Sequence, residues 1–298
     1  MKKSFLLVSL VLLLCQCSLI KSRAASDEMT VMTFNLRYGT AKDGENRWEL
    51  RQPILMEYLR KEHPDFLATQ EALPFQIQAI QDEFPQWSSI GQGRYFGKEM
   101  PDRPHESLDG ESCRIFYAAR KFELMDQGTY WHSEHPDEPA SISWGNTLPR
   151  ITTWGLFRSR STGRSFVFMN THFHGGEPYV SRTTQLVIDK WREIAAALPT
   201  LFTGDSNLPP GSETHRRLCS GPGTEAGSRY FIDTWQALNK PESNAGTGHG
   251  FKGVRDQSRI DWILCTDEFK VQKSEILYHQ RNGRYPSDHY PVLAKLKW

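Results

Sequence analysis

The chain has 298 residues, 38% hydrophobic, 12% aromatic and 24% charged, with 36 Lys and Arg against 35 Asp and Glu for a formal charge of +1. That composition describes a globular chain with a sizeable core and excludes a disordered or fibrous one. It also gives no support to broad nucleic-acid binding through phosphate neutralisation, which would show a basic excess or patch.

In chain order, the first segment reads as an export signal: Lys2 and Lys3, an apolar run from Phe5 to Leu14, then small and polar residues to Ala25. The run is well short of the roughly 20 apolar residues that span a bilayer. Cleavage after Ala24, with Ser22 upstream, and a lipoprotein signal acylated at Cys15 or Cys17 are both open, so the expected location is periplasmic, extracellular or lipid-anchored to the envelope. Loss of residues 1–24 removes Lys2, Lys3, Lys21 and Arg23 and leaves a mildly acidic protein. The remaining cysteines, Cys113, Cys219 and Cys265, are odd in number and widely spaced, so they form neither a disulfide framework nor a zinc motif. Cys113 and Cys265 lie in apolar stretches and read as small buried hydrophobes.

Beyond the leader, short β-branched and aromatic runs predict strands at Met29–Arg37, Asp65–Ala72, Cys113–Arg120, Ile151–Ser159, Ser165–Phe173, Thr200–Asn207, Arg259–Cys265 and His289–Trp298. Helical spacing predicts helices at Gln52–Lys61, Phe75–Glu83 and Arg182–Ala197. Segments rich in Gly, Pro, Ser and acids read as loops at Gly39–Asn46, Gly91–Gly110, His132–Leu148 and Leu208–Gly227. None is a convincing interdomain linker and no repeat is visible, so a single α/β domain over residues 27–298 is expected.

Polar residues stand at the ends of these apolar runs, where loops present functional groups from a rigid sheet. Asn35, Glu71, Asn170, His172, Asp205 and Asn207 close strands; Asp261 lies in Arg259–Ile263, and Asp288 with His289 opens the last strand. Any one of them has a bland explanation as a turn residue, a solvated carboxylate or a structural histidine. Together they supply hard oxygen ligands for Mg²⁺ or Mn²⁺ and the histidine and carboxylates that proton transfer needs.

The succession FNLR, TQE, NTH, GDSN, RIDWI and SDH resembles the endonuclease/exonuclease/phosphatase (deoxyribonuclease I-like) superfamily along the whole mature chain. LPRITTW, the His249–Phe251 turn and YPSDHYPV are most similar to the deadenylase and nocturnin-like branch with its bacterial exported relatives. The resemblance implies a four-layer α/β/β/α sandwich with two mixed β-sheets and a site at one edge. It implies Glu71 as the principal ligand of one or two Mg²⁺ or Mn²⁺ ions, with Asn35 and Asp288 assisting. It implies His289 facing the scissile phosphate with Asp261 orienting its ring, and Asp205 and Asn207 positioning water or a second ion. Two apart, those two would project alike from an extended segment. His172 would stabilise charge on a phosphate oxygen. Whether His289 or Asp205 takes the water's proton stays open.

Arg150 is a candidate phosphate clamp and His249 a candidate contact to the leaving group. Trp48, Trp144, Trp154 and Tyr117 read as core or rim. The sequence departs from the family at Ser206, where an aromatic is usual and whose side chain should point away from the site, and at His174, where the deadenylase-like branch commonly has an acid. The leading reading is a phosphodiesterase or nuclease of nucleotide or single-stranded substrates, monomeric and without a stable protein partner. The rivals are a phosphatase or phospholipase C-like enzyme of sugar, inositol or lipid head-group phosphates, and a catalytically dead binding module.

Overall fold

The structure, a computed structural model, describes residues 28–98, 109–220 and 229–298. The leader, with Cys15 and Cys17, lies outside the described residues, as does the middle of the Gly91–Gly110 loop. The strands are β1 (Glu28–Asn35), β2 (Phe66–Ala72), β3 (Trp87–Ile90), β4 (Ser112–Ala118), β5 (Phe122–Trp131), β6 (Ile151–Ser159), β7 (Ser165–His172), β8 (Thr200–Asp205), β9 (Ile232–Asp233), β10 (Asp261–Cys265), β11 (Lys270–Ile276) and β12 (Val292–Lys297). They make two six-stranded sheets, β11-β12-β1-β2-β4-β3 and β5-β6-β7-β8-β10-β9. Each sheet is mixed: β1 and β2 run parallel in one and β7 and β8 in the other, while the remaining pairs are antiparallel.

The two-residue alternation of a strand sorts these sequences into layers. Val31, Phe66, Ala68, Ile115, Phe157, Phe166, Phe168, Leu201 and Ile263 face one another between the sheets. Phe66 sits at the centre of that layer, its ring 5.0 Å from Phe168 and 5.1 Å from Phe157 of the opposite sheet. Truncating a buried ring of this kind typically costs about 3–5 kcal/mol. The intervening residues face outward. Met32, Phe34, Leu67 and Phe116 are covered by Leu55, Tyr58 and Leu59 of α1 (Trp48–Glu62) and by Ile80 of α2 (Pro74–Glu83). Val167, Met169, Phe202 and Trp262 are covered by Val187, Ile188 and Trp191 of α3 (Tyr179–Ala195). The expected four-layer sandwich is the architecture found.

Several expectations are corrected in detail. The last strand begins at Val292, not His289, because Pro286 and Pro291 bracket the segment and His289 instead forms an isolated bridge to Gly248. Helix α4 (Glu213–Ser220) occupies part of the Leu208–Gly227 segment read as loop. Strands β3, β5, β9 and β11 carry no run of the expected kind; β5 exposes Glu123–Gly128 in part, and β11 is an edge strand exposed or half-buried over Lys270–Lys273. Cys113 and Cys265 are buried and all three described cysteines are free. Tyr117 packs on Phe157 at 4.9 Å, and Trp48 is buried, whereas Trp144 and Trp154 are half-buried.

Candidate active site

The inner layer turns polar at one end. Along β1 the inward residues run Val31, Thr33, Asn35; along β7 they run Phe166, Phe168, Asn170, His172; along β8 they run Leu201, Thr203, Asp205. Register aligns these ends: His172 pairs with Asp205, Asp205 pairs with Asp261, and Asn35 pairs with Gln70. Three site residues therefore lie in one row across β7, β8 and β10, where neighbouring side chains on one face stand about 5 Å apart. Gly204 makes the row possible. A Cβ there would lie 2.2 Å from the Thr171 carbonyl oxygen, so only glycine lets β8 lie this close to β7 ahead of Asp205.

Within the row, His289 Nδ1 is 2.9 Å from Asp261 Oδ2, and its Nε2 is 3.8 Å from Asp205 Oδ2. Burial works against a charged imidazole, but Asp261 and Asp205 outweigh it and hold the His289 pKa well above the usual value. Asp205 is pushed up to about 7 by burial and by Asp261 beside it, while His289 and the Asn35 amide pull the other way. His172 Nε2 lies 3.0 Å from Asn207 Nδ2 and 3.4 Å from Asp205 Oδ2. Burial, with Arg150 and His289 nearby, keeps His172 neutral. Asn207 does not continue an extended segment: its φ is 53°, and its amide turns back to the Phe173 carbonyl oxygen at 3.0 Å. Projection in parallel with Asp205 is thus replaced by a turn in which Asp205 Oδ1 accepts the Asn207 N–H. Ser206 faces away, bonding the Leu208 and Ile260 carbonyls.

Glu71 reaches the same end from the other sheet by an irregular route. Gln70 takes the inward position and donates to Asn170 Oδ1 at 2.7 Å, so strict alternation would send Glu71 outward. A bulge between Thr69 and Ala72, with Glu71 at φ 57°, turns it back. Its carboxylate accepts Asn35 Nδ2 at 3.1 Å and the Tyr38 N–H at 3.0 Å. The same Asn35 amide donates to Asp205 at 2.9 Å, which ties the two sheets together at the site. Burial raises the Asp288 pKa although His289 opposes it, and Arg37 Nε stands 3.7 Å from its carboxylate. Ligand atoms of Glu71, Glu111 and His172 lie within 4.8 Å of one another, and so do those of Asp205, Asp261 and His289. With Asp261 Oδ1 buried and unpartnered, this hard, mostly carboxylate donor set suits a divalent cation.

Arg150 lines a pocket with Glu71 and His172, and its Nε is buried without a partner. His249 is buried, stacked on Tyr290 at 3.9 Å, with its pKa lowered to about 4 by burial and by His289. His174 is exposed, its ring 5.7 Å from Tyr179.

Residues absent from the sequence-level set complete the surroundings. Arg51, buried in α1, donates to the carbonyls of Leu36, Arg37 and Pro286. Gln76 holds the Gly39 N–H and the Arg37 carbonyl oxygen. Arg94 and Glu111 flank the pocket. The signal available for Arg51 and Gln76 was a polar residue one helical turn before a buried apolar one, Leu55 and Ile80.

A two-sheet sandwich whose polar edge carries a carboxylate-held histidine and a cation-competent carboxylate set defines a hydrolase of phosphate esters. The chain belongs to the endonuclease/exonuclease/phosphatase family, whose pattern matches residues 32–289. It is similar to an endonuclease/exonuclease/phosphatase from Bacteroides vulgatus at 29% identity, covering 91% of this chain and 98% of that one with a TM-score of 0.80. It is also similar to a Bacteroides thetaiotaomicron mannosyl-6-phosphatase at 29% identity, covering 90% and 99% with a TM-score of 0.76. The human nocturnin catalytic domain shares the fold at 18% identity, covering 90% and 93% with a TM-score of 0.67. No curated protein matches the chain.

Proposed function

We propose that the protein hydrolyses small phosphate monoesters, sugar phosphates foremost, with help from Mg²⁺ or Mn²⁺. The observation that carries this reading is the pocket beside Glu71 and His172. Arg150 lines it, with its Nε buried and without a partner, placed to meet a phosphate oxygen. The similarity to a mannosyl-6-phosphatase at 29% identity supports the same class, whereas the likeness to nocturnin, at 18%, is one of fold alone.

In this reading Glu71, with Asn35 and Asp288, holds the cation, which when bound offsets phosphate charge. Arg150 and His172 bind non-bridging oxygens. Asp261 fixes the His289 ring, and Asp205 and Asn207 place the attacking water, whose proton passes to Asp205 or His289. His249 braces Tyr290 behind them. We also propose that residues 1–24 direct export; the N-terminal mass of the protein recovered from the cell envelope or medium tests this.

The functional test compares p-nitrophenyl phosphate, bis(p-nitrophenyl) phosphate and a hexose phosphate with Mg²⁺, using the native enzyme and His289→Asn. Monoester turnover well above diester turnover, lost in the variant, is expected. Faster diester turnover overturns the monoester reading.

A further inference from the structure

Asp261 and His289 meet from different sheets. Asp261 opens β10 of the second sheet, and His289 lies just ahead of β12 of the first. The pair closes at 2.9 Å between Asp261 Oδ2 and His289 Nδ1, while Asp261 Oδ1 has no partner among the described residues. The place of that carboxylate is therefore set by the backbone that carries it. Strand β9 pairs with β10 only at Leu264 and Cys265, so among the described residues no strand runs beside Asp261 on that side. A buried N–H there needs another acceptor.

Thr247, fully buried, supplies it. Its Oγ1 accepts the Ile260 N–H at 3.0 Å and the Asp261 N–H at 3.2 Å. A hydroxyl oxygen has two acceptor lone pairs, so one atom meets both amides and pins the start of β10. The same residue grips the other half of the pair, its carbonyl oxygen accepting the Tyr290 N–H at 2.8 Å. Gly248 then bridges to His289, and the N–H groups of His249 and Gly250 donate to the Asp288 carbonyl oxygen at 2.8 and 3.1 Å. Valine would fill the same space, so packing does not call for threonine; the hydroxyl is what the two amides require.

We propose that Thr247 is a positioning residue for the Asp261–His289 pair. Its hydroxyl fixes the carboxylate's strand and its carbonyl fixes the imidazole's segment, so one residue sets the spacing between them. Displacing a catalytic group by about 1 Å can cost on the order of 100-fold in rate. The proposal rests on the role given above to the Asp261–His289 pair and is independent of which phosphate ester is hydrolysed.

The test measures kcat and KM with Mg²⁺ on whichever p-nitrophenyl ester the native enzyme turns over, for Thr247→Val, Thr247→Ser, Asp261→Asn and the double variant Thr247→Val/Asp261→Asn, with thermal melting of each. Proton NMR follows the downfield resonance of the His289 Nδ1–H, identified by its absence from His289→Asn. Thr247→Val should lower kcat about 10- to 100-fold with KM within about threefold, and should shift or broaden that resonance. Thr247→Ser, which keeps the oxygen, should stay within about threefold of the native kcat with the resonance in place. The double variant should be no slower than Asp261→Asn alone, because both changes act through one pair. If the valine variant does not fold, Thr247→Cys, of similar size and a weak acceptor, takes its place. A folded valine or cysteine variant with native kcat and an unmoved resonance, or a loss that multiplies with that of Asp261→Asn, overturns the proposal. An undiminished rate in Asp261→Asn with the resonance still moved by Thr247→Val overturns the role of the pair and leaves the bracing standing.

Discussion

Arg51→Met removes a side chain that joins the segment after β1 to the segment before Asp288. The guanidinium is fully buried and donates to the carbonyls of Leu36, Pro286 (3.1 Å) and Arg37 (2.6 Å), so a residue in α1 spans 235 positions of sequence. Two effects compete. Burial lowers the Arg51 pKa to about 10 against the pull of Asp288, which puts the net cost of the charge at about 3 kcal/mol. Methionine removes that cost but strands three carbonyls, each worth about 1–3 kcal/mol when left buried and unbonded. The second effect wins, and Arg51→Met should lose about 3 kcal/mol in urea unfolding at unchanged m. Because those carbonyls follow Asn35 and precede His289, kcat/KM should fall at least tenfold even where the variant is fully folded. Arg51→Lys, which keeps the charge but not the fork, should fall between the two. A methionine variant within 0.5 kcal/mol of the native stability and equally active, measured against roughly 1 kcal/mol for an ordinary substitution, refutes the bracing argument.

Asp261→Asn should lower kcat by about 10²–10⁴-fold, the range for proton-transfer catalysis, with little change in melting temperature; an undiminished rate would remove the Asp261–His289 pair from the mechanism. Glu71→Gln should raise the Mg²⁺ concentration needed for half-maximal activity at least tenfold, read by metal titration and calorimetry, and an unchanged requirement would displace Glu71 as a ligand. Gly204→Ala should cost several kcal/mol or prevent soluble expression, since its Cβ meets the Thr171 carbonyl oxygen at 2.2 Å; a native-like melt would show that β7 and β8 can part. His132, buried between Thr152 and Tyr179, has its pKa lowered to about 3 by burial and Arg150. It stays neutral when folded but takes a proton below pH 6.5 when unfolded, so its contribution is intact above pH 6.5 and is lost as pH falls. Between pH 6.5 and 4 the native protein should lose up to about 3 kcal/mol more than His132→Gln, and parallel stability curves would contradict the assignment.

Much of this was legible where a strand changes character along its length. Val31 to Asn35 and Leu201 to Asp205 pass from apolar to polar at two-residue spacing, and that gradient points at a sheet edge before any coordinates are known. What stayed hidden depends on contacts distant in sequence. Glu71 reads as a plain strand-end carboxylate, yet Gln70 holds the inward position and only a bulge brings Glu71 back. Asn207 was expected to extend the line from Asp205, but its left-handed backbone folds it onto His172. Arg94 and Glu111 bracket a segment that looks like featureless loop, and their partnership exists only once β3 and β4 are paired. Polar edge strands such as β11 lack the apolar run that identifies a central strand.

The hydrogen bonds from Asn35 to Asp205 and from Gln70 to Asn170 cross between the sheets. Neither sheet alone holds a complete set of reacting groups, so the site exists only while the two halves are docked. Any cation or phosphate ester bound there selects the docked state and raises its stability by mass action, about 2.7 kcal/mol at a hundredfold excess over Kd. Turnover then doubles as a readout of sheet docking: it should vanish in the same transition as the near-ultraviolet signal of the buried aromatic layer.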